Sequence, residues 1–501
     1  MSPRLPRRTL LRRAAQLGLG AAGVALVGCG ADDDETPAAP VAAPTPSTDD
    51  AAVAGTPPER TGVVVVGAGL SGLAAASALR AEGLDAVVLE AQDRIGGRVQ
   101  TDRELASYPV ELGGEFLHGQ GHASWRLADD LDLALGDEAD FDPDEDLIVF
   151  AQGTRWDSDD LEEDADLSAI VDVDLDASAF FDPGAGDQSL GDVIRATGLS
   201  PLAQAILIGS EQGEYSAPID LLSATDTSTQ EEAPGADRRI AAGYDQLVIA
   251  LARELPVFVE QPVSRIEWGD GVRVHHAGGV IAADVVIVTV SVAALQSGAI
   301  SFDPPLPAEK TDAIDGLGMG RLGKIIAVYD DPPWDAETSG VLHDGLVTTW
   351  WMPGLDRDDG PNDTVIGFAS ERFAAAVEGL SASEIRTVAV RELVQIFGSN
   401  AEAPARFRYQ AWHENPWIGG GYSYVRVGRV GAREGLAAPL RSELFFAGEA
   451  THSTTPATTH GAIESGRRAA DEVRATLSNH PAPNTSRPAS HALATRTPLI
   501  R

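Results

Sequence analysis

Residues 61–93 read TGVVVVGAGLSGLAAASALRAEGLDAVVLEAQD, and the fold is decided there. Val63, Val64, Val65 and Val66 form an unbroken β-branched run, the pattern of a strand buried on both faces. Gly67-Ala68-Gly69-Leu70-Ser71-Gly72 follows at once, an Ala-rich helical stretch runs on to Arg80, and Ala86-Val87-Val88-Leu89 makes a second buried strand ending in Glu90. Gly67 permits a tight turn, Gly69 lets the backbone approach a pyrophosphate, and Gly72 lets the helix pack closely on the strand. The N-terminus of this helix, read from Leu73 to Arg80, turns unpaired N–H groups and a positive dipole end toward phosphates. Glu90, about 20 residues on, is placed to accept hydrogen bonds from ribose hydroxyls and disfavours a 2′-phosphate. A lone glycine loop is a weak signal, but strand, loop, helix, strand and terminal acid in this order specify a dinucleotide site.

Just downstream, Arg94-Ile95-Gly96-Gly97-Arg98-Val99 adds glycines that let the chain pass a diphosphate and two arginines able to make charge-assisted contacts with it. Outward from this core the chain is punctuated clearly. Residues 1–29 carry Arg7-Arg8, a short apolar run and Leu26-Val27-Gly28-Cys29, the layout of a twin-arginine export signal ending in a lipobox. The apolar run is too short for the roughly 20 residues of a spanning helix. Lipid on Cys29 would tether the protein to a bacterial cell envelope. Residues 30–60, rich in Ala, Pro, Thr and Asp, read as a linker, and residues 477–501 as a disordered tail.

With 501 residues the chain suits two domains. A net charge of -39 excludes nucleic acid as a partner, because phosphates would be repelled. Cys29 is the sole cysteine, so no internal disulfide or cysteine-based metal cluster can form. Asp172-Val173-Asp174-Leu175-Asp176 resembles a calcium loop only briefly: Ala177 stands where glycine is required and Pro183 where the last ligand belongs. No metal site is expected. Lys310 and Lys324 are the only two lysines in an Arg-rich chain.

Several further segments agree, in order, with one family. The chain resembles the flavin-containing amine oxidases, which include monoamine oxidases, polyamine oxidases and histone-lysine demethylases, over residues 61–473. Glu111-Leu112-Gly113-Gly114-Glu115-Phe116-Leu117-His118-Gly119 is similar to the segment leading from the flavin into the substrate cavity. Gly243-Tyr244-Asp245-Gln246-Leu247 and Val263-Ser264-Arg265-Ile266 resemble the return to the cofactor domain, where the backbone at Val263 would meet the adenine. Asp284-Val285-Val286-Ile287-Val288-Thr289-Val290 matches a further strand, with Ser291 where the family often has proline. Leu444-Phe445-Phe446-Ala447-Gly448-Glu449-Ala450 resembles the C-terminal signature that brings Gly448 and Glu449 to the ribityl-phosphate side. Thr458-Thr459-His460-Gly461-Ala462 then starts a helix aimed at the flavin ring.

The resemblance also implies roles on the substrate side. Gly323-Lys324-Ile325-Ile326 is similar to the strand carrying a lysine that holds water near flavin N5. Tyr422 falls on a cage-aromatic position, while Thr458 replaces the second aromatic of monoamine oxidases. Gly421 stands where those enzymes carry a flavin-linking cysteine, so FAD is expected to be non-covalent. His118 and Glu214 fall near polar positions that would suit a diamine or polyamine, and the segment after Gly114 lacks the arginine of L-amino acid oxidases. The implied fold is α/β, with a Rossmann-like FAD-binding domain (61–126, 236–300, 425–476) and a discontinuous substrate-binding domain of mixed sheet and helices (127–235, 301–424). The implied reaction oxidises a C–N bond of a primary or secondary amine to an imine, with O2 reduced to H2O2. A dehydrogenase or desaturase, an L-amino acid oxidase, and a non-catalytic FAD-binding lipoprotein remain as alternatives.

Overall fold

The computed structural model describes residues 55–138, 147–157, 167–168, 177–231, 235–336, 338–355 and 361–479. The signal segment with Cys29, the acidic stretch from 171 to 176 and the tail after 479 lie outside the described residues, as does the linker up to residue 54. The end of that linker is tied to the fold: Ala282 N donates to Glu59 O at 2.9 Å and Arg60 Nη2 to Asp284 Oδ1 at 2.7 Å.

The architecture is mixed α/β. A five-stranded parallel sheet runs in the order Leu444–Phe446, Val285–Val288, Val63–Val66, Ala86–Leu89, Val257–Phe258. The alternation of a strand divides the valine run between two cores. Val63 and Val65 pack with helices Leu70–Ala81, Asp245–Ala252 and Thr459–Asn479, whereas Val64 and Val66 pack with Ile266, Val274 and Ile281 of a four-stranded sheet. Each valine is at most 4% exposed, so each contributes on the order of 1.5–3 kcal/mol of burial. Glycine matters where the helices cross. A Cβ on Gly466 would lie 2.1 Å from Ser71 O, so the C-terminal helix can approach the phosphate-facing helix only with hydrogen at that position.

The four-stranded sheet joins Gly279–Ala283, Val272–His276, Val263–Glu267 and Ser301–Asp303, so the cofactor-side layer continues just past residue 300. A seven-stranded sheet covers the other side of the cavity, in the order Arg406–Ala411, Gly323–Val328, Thr364–Ala369, Thr349–Trp351, Gly340–His343, Leu147–Ala151, Thr154–Trp156. Every residue of Gly323–Val328 is buried, and Lys324 is the one charged side chain in it. A lysine in a strand buried along its whole length breaks the local pattern, and such breaks gather at functional sites.

Candidate active site

One cavity of about 970 Å³ runs from the glycine loop to the face of the seven-stranded sheet. Gly67, with φ +110°, turns the chain at the end of the first strand, and Gly67 N donates to Leu89 O at 2.8 Å. Gly69 starts the helix in an ordinary extended conformation (φ -74°) and faces the cavity, with open space where a Cβ would stand. Glu90 is buried; its carboxylate accepts from Ala68 N at 2.7 Å and Gln92 N at 2.9 Å. Burial pushes its carboxyl up, and those N–H groups pull it part of the way back. Oε1 also accepts from Gln92 Nε2 at 3.5 Å, and Oε2 keeps a lone pair for a ribose hydroxyl. Leu70, Ser71, Gly97, Arg98, Gly114, Val263, Gly448, Glu449 and Thr459 line the same cavity.

Gly72 and Arg94 stand behind that wall. A Cβ on Gly72 would meet Gly67 O at 1.9 Å and Thr289 Oγ1 at 2.8 Å, so Gly72 makes room for the loop's own carbonyl. Arg94 donates to Ile95 O (3.0 Å), Val99 O (3.2 Å) and Gly97 O (2.6 Å), which turns its guanidinium into its own loop. It shapes the glycine segment rather than lining the cavity. Arg98 does line it, held by Gly421 O at 2.5 Å and Glu449 Oε1 at 3.0 Å. Glu449 also accepts from Ser423 Oγ (2.7 Å) and Ala457 N (3.0 Å), and Arg433 donates to that same serine hydroxyl at 2.8 Å. Burial alone would raise the Glu449 carboxyl, but Arg98 and Arg433 outweigh it and hold it below the usual range.

At the sheet end, Lys324 Nζ donates to Glu115 Oε2 at 2.5 Å and to Glu111 O at 3.2 Å, and lies 5.1 Å from the centre of the Trp351 ring. Glu115 also accepts from Arg239 Nε at 2.7 Å and Trp351 Nε1 at 3.1 Å. Burial works to raise the Glu115 carboxyl, yet Lys324 and Arg239 together pull it down to about 2. Glu111 behaves oppositely: burial pushes it up to about 8, against donors Tyr244 N and Thr101 Oγ1, each at 2.8 Å. Phe368 and the Tyr422 ring line the cavity as well, and the Tyr422 hydroxyl donates to Glu214 O. Thr458 borders the cavity, but its hydroxyl caps its own helix, donating to Thr455 O at 2.8 Å and accepting from Gly461 N at 2.9 Å.

His118 is surrounded by protein yet keeps 47% of its side chain open to the cavity. Its Nδ1 pairs with Asp237 Oδ2 at 2.8 Å. Burial opposes the charged ring, but Asp237, aided by Glu214 and Glu115, raises it to about 9. Glu214 and Glu231 line the same cavity. His460 is buried and stacks on His122 at 4.1 Å; burial and the neighbouring histidines push it down to about 2, so it is neutral. Among the described residues no metal-binding cluster of His, Cys, Asp or Glu is present.

Arg239, Asp237 and Trp351 were not legible as site residues, because nothing local marks them. The donor set fits a flavin dinucleotide: glycine faces and helix N–H groups for a diphosphate, Glu90 for a ribose, and aromatic rings beside a buried ammonium for the ring end.

Comparison with known proteins agrees with this chemistry. The model of the family described as flavin containing amine oxidoreductase matches residues 70–474. Polyamine oxidase 2 of Arabidopsis thaliana is 30% identical over 437 residues, covering 82% of this chain and 88% of that protein. Lysine-specific histone demethylase 1 homolog 2, also of Arabidopsis thaliana, is 31% identical, covering 82% of this chain and 58% of that protein. Among solved structures, cyclohexylamine oxidase from Brevibacterium oxydans superposes with a TM-score of 0.71 at 25% identity, covering 84% of this chain and 100% of that one. Putrescine oxidase bound to putrescine shares the fold, with a TM-score of 0.70 at 24% identity over 83% of this chain and 99% of that one.

Proposed function

The chain belongs to the flavin-containing amine oxidoreductases, and from that premise we propose that it is an exported, FAD-dependent oxidase of diamines or polyamines. The supporting observation is that one cavity holds both the Lys324–Trp351–Tyr422 wall and the carboxylates Glu214, Glu231 and Asp237. Bound FAD supplies the two-electron acceptor that turns the amine into an imine, with O2 as final acceptor and H2O2 as product. The chain's own residues bind and orient. Glu214 and Glu231 attract the distal ammonium of a diamine, which a monoamine lacks, while Asp237 is paired with His118. Trp351, Phe368 and Tyr422 exclude water around the reacting nitrogen and favour its neutral form. Lys324 offers an N–H to water or to a developing negative charge.

FAD is held without a covalent bond in this reading, since Gly421 stands at the linking position and the sole cysteine is Cys29. A free amino acid is disfavoured, because its carboxylate would meet the three cavity acids while Arg98 and Arg239 already hold Glu449 and Glu115. Twin-arginine export with a lipid on Cys29 rests on the signal segment alone.

The test is anaerobic bleaching of the purified flavoprotein by putrescine, spermidine, benzylamine and amino acids. Rapid reduction by putrescine or spermidine is expected, with peroxide formed on admitting air. Failure of every amine to bleach the flavin ends the proposal, and reduction by amines without peroxide moves it to a dehydrogenase. A mature N-terminus other than acylated Cys29 in the membrane fraction removes the lipid anchor.

A further inference from the structure

We propose that Glu115 is a positioning residue for Lys324, a carboxylate clamped by Arg239 and Trp351 that fixes the lysine ammonium and leaves one of its N–H groups to the cavity. The donors account for this. A lysine ammonium has three N–H groups and no acceptor. One goes to Glu111 O at 3.2 Å and one to Glu115 Oε2 at 2.5 Å, while the side chain itself borders the cavity. The clamp is rigid from both sides. Lys324 sits mid-sheet, with its backbone in register with Phe368 on one neighbouring strand and Gln410 on the other. Glu115 Oε1 is taken by Arg239 Nε at 2.7 Å and Trp351 Nε1 at 3.1 Å, so the carboxylate cannot rotate away from its second partner without breaking two bonds. Lys324, Glu115 and Arg239 are at most 5% exposed at their side chains.

Stability alone does not account for such an assembly. A buried ion pair is usually no better for stability than a well-packed apolar substitute, since desolvation offsets the attraction. Its retention at a cavity wall is better explained by what it does there. Two cations and one anion leave a net charge of +1 beside the reacting space, held without freedom to reorient. Preorganised charge of this kind stabilises negative charge as it develops.

The chain's two lysines make the proposal readable by mass. The full-length, flavin-loaded protein is pulsed with formaldehyde and cyanoborohydride at pH 8, and methylation of Lys324 is followed by peptide mass spectrometry. Lys310, buried and held by Gly435 O (2.8 Å) and Leu436 O (2.7 Å), serves as internal control. In Glu115→Gln the charge-assisted bond that anchors the lysine is lost, so Lys324 should label about tenfold faster or more, with Lys310 unchanged. In the same variant kcat should fall about tenfold or more, with KM little changed, and Glu115→Asp should restore part of it.

Equal Lys324 labelling in the native protein and in folded Glu115→Gln, with kcat unchanged, overturns the proposal. If Glu115→Gln does not fold, Trp351→Phe removes one clamp donor, and a rise of about two- to tenfold in Lys324 labelling is expected; no rise overturns the clamp. The kinetic arm rests on the proposed amine oxidation, whereas the labelling arm does not. A chain whose flavin no amine reduces, but whose Lys324 labelling follows Glu115, loses the substrate reading and keeps the clamp.

Discussion

Gly69 and Gly72 lie three residues apart in one loop, and the structure assigns them opposite sensitivities to the same added methyl group. At Gly69 a Cβ would meet no protein atom within 4 Å, and φ of -74° is open to any residue. Gly69→Ala should therefore leave the flavin-free protein folded and stabilise it by about 0.4–1 kcal/mol, through lower entropy of the unfolded chain. The same methyl points into the space where the diphosphate must pass. Crowding by one methyl costs about 1–3 kcal/mol in a close-packed contact, which weakens flavin binding by about 5- to 150-fold. At Gly72 the methyl would stand 1.9 Å from Gly67 O, deep inside contact distance with backbone that cannot swing away. Gly72→Ala should cost the flavin-free protein about 3 kcal/mol or more. Urea denaturation of the flavin-free variants and FAD titration by fluorescence quenching separate the two effects. Native-like FAD affinity in Gly69→Ala would refute the placement of the diphosphate, and native-like stability in Gly72→Ala would refute the steric account of the loop.

Three further outcomes follow from the charged network. Lys324→Met should slow turnover by about a hundredfold or more; because Glu115 is held down at about 2, it stabilises the fold above its unfolded value of 4.5 and loses that contribution as pH falls toward 2, so the variant should also acid-denature at higher pH, as followed by circular dichroism. Glu111 has the reverse sign: raised to about 8, it favours the folded state below 4.5 and that contribution is lost as pH rises through 8, so Glu111→Gln should flatten the decline of Tm between those values. Asp237 keeps His118 charged up to about 9, so in Asp237→Asn the His118 transition, read by NMR of the ring protons or from the pH profile of KM for putrescine, should move to lower pH.

What was legible in the sequence was what local periodicity encodes. The run Val63 to Val66, the glycines after it and Glu90 announce their environment within about 30 residues, and the structure builds them into one sheet and one cavity wall. Lys324 was legible because it is one of only two lysines and falls in a segment resembling the family strand that carries a lysine near the flavin. Arg94 was ambiguous for a physical reason: an arginine beside glycines can serve a ligand or the loop's own carbonyls, and the folded path of the loop turns it to the carbonyls. The partners of Glu115 were silent in the sequence, since Arg239 and Trp351 lie 124 and 236 residues away and each is unremarkable in its own segment.

That silence shows where the chemistry of this fold is specified. Glycine positions fix where a cofactor can lie, because hydrogen is the only side chain that lets backbone approach backbone or phosphate so closely. They do not fix what happens at its reactive end. There, Lys324, Glu115 and Arg239 arrive from three separate segments, and their value depends on simultaneous satisfaction of donors and acceptors in a space with little water. Removing any one of them leaves the others buried without full compensation, at a cost in stability. Glu214 and Glu231 differ, because carboxylates bordering an open cavity are partly solvated and can be altered one at a time. Under the proposed function, selection of a diamine is therefore separable from the positioning of Lys324, even though both line the same cavity.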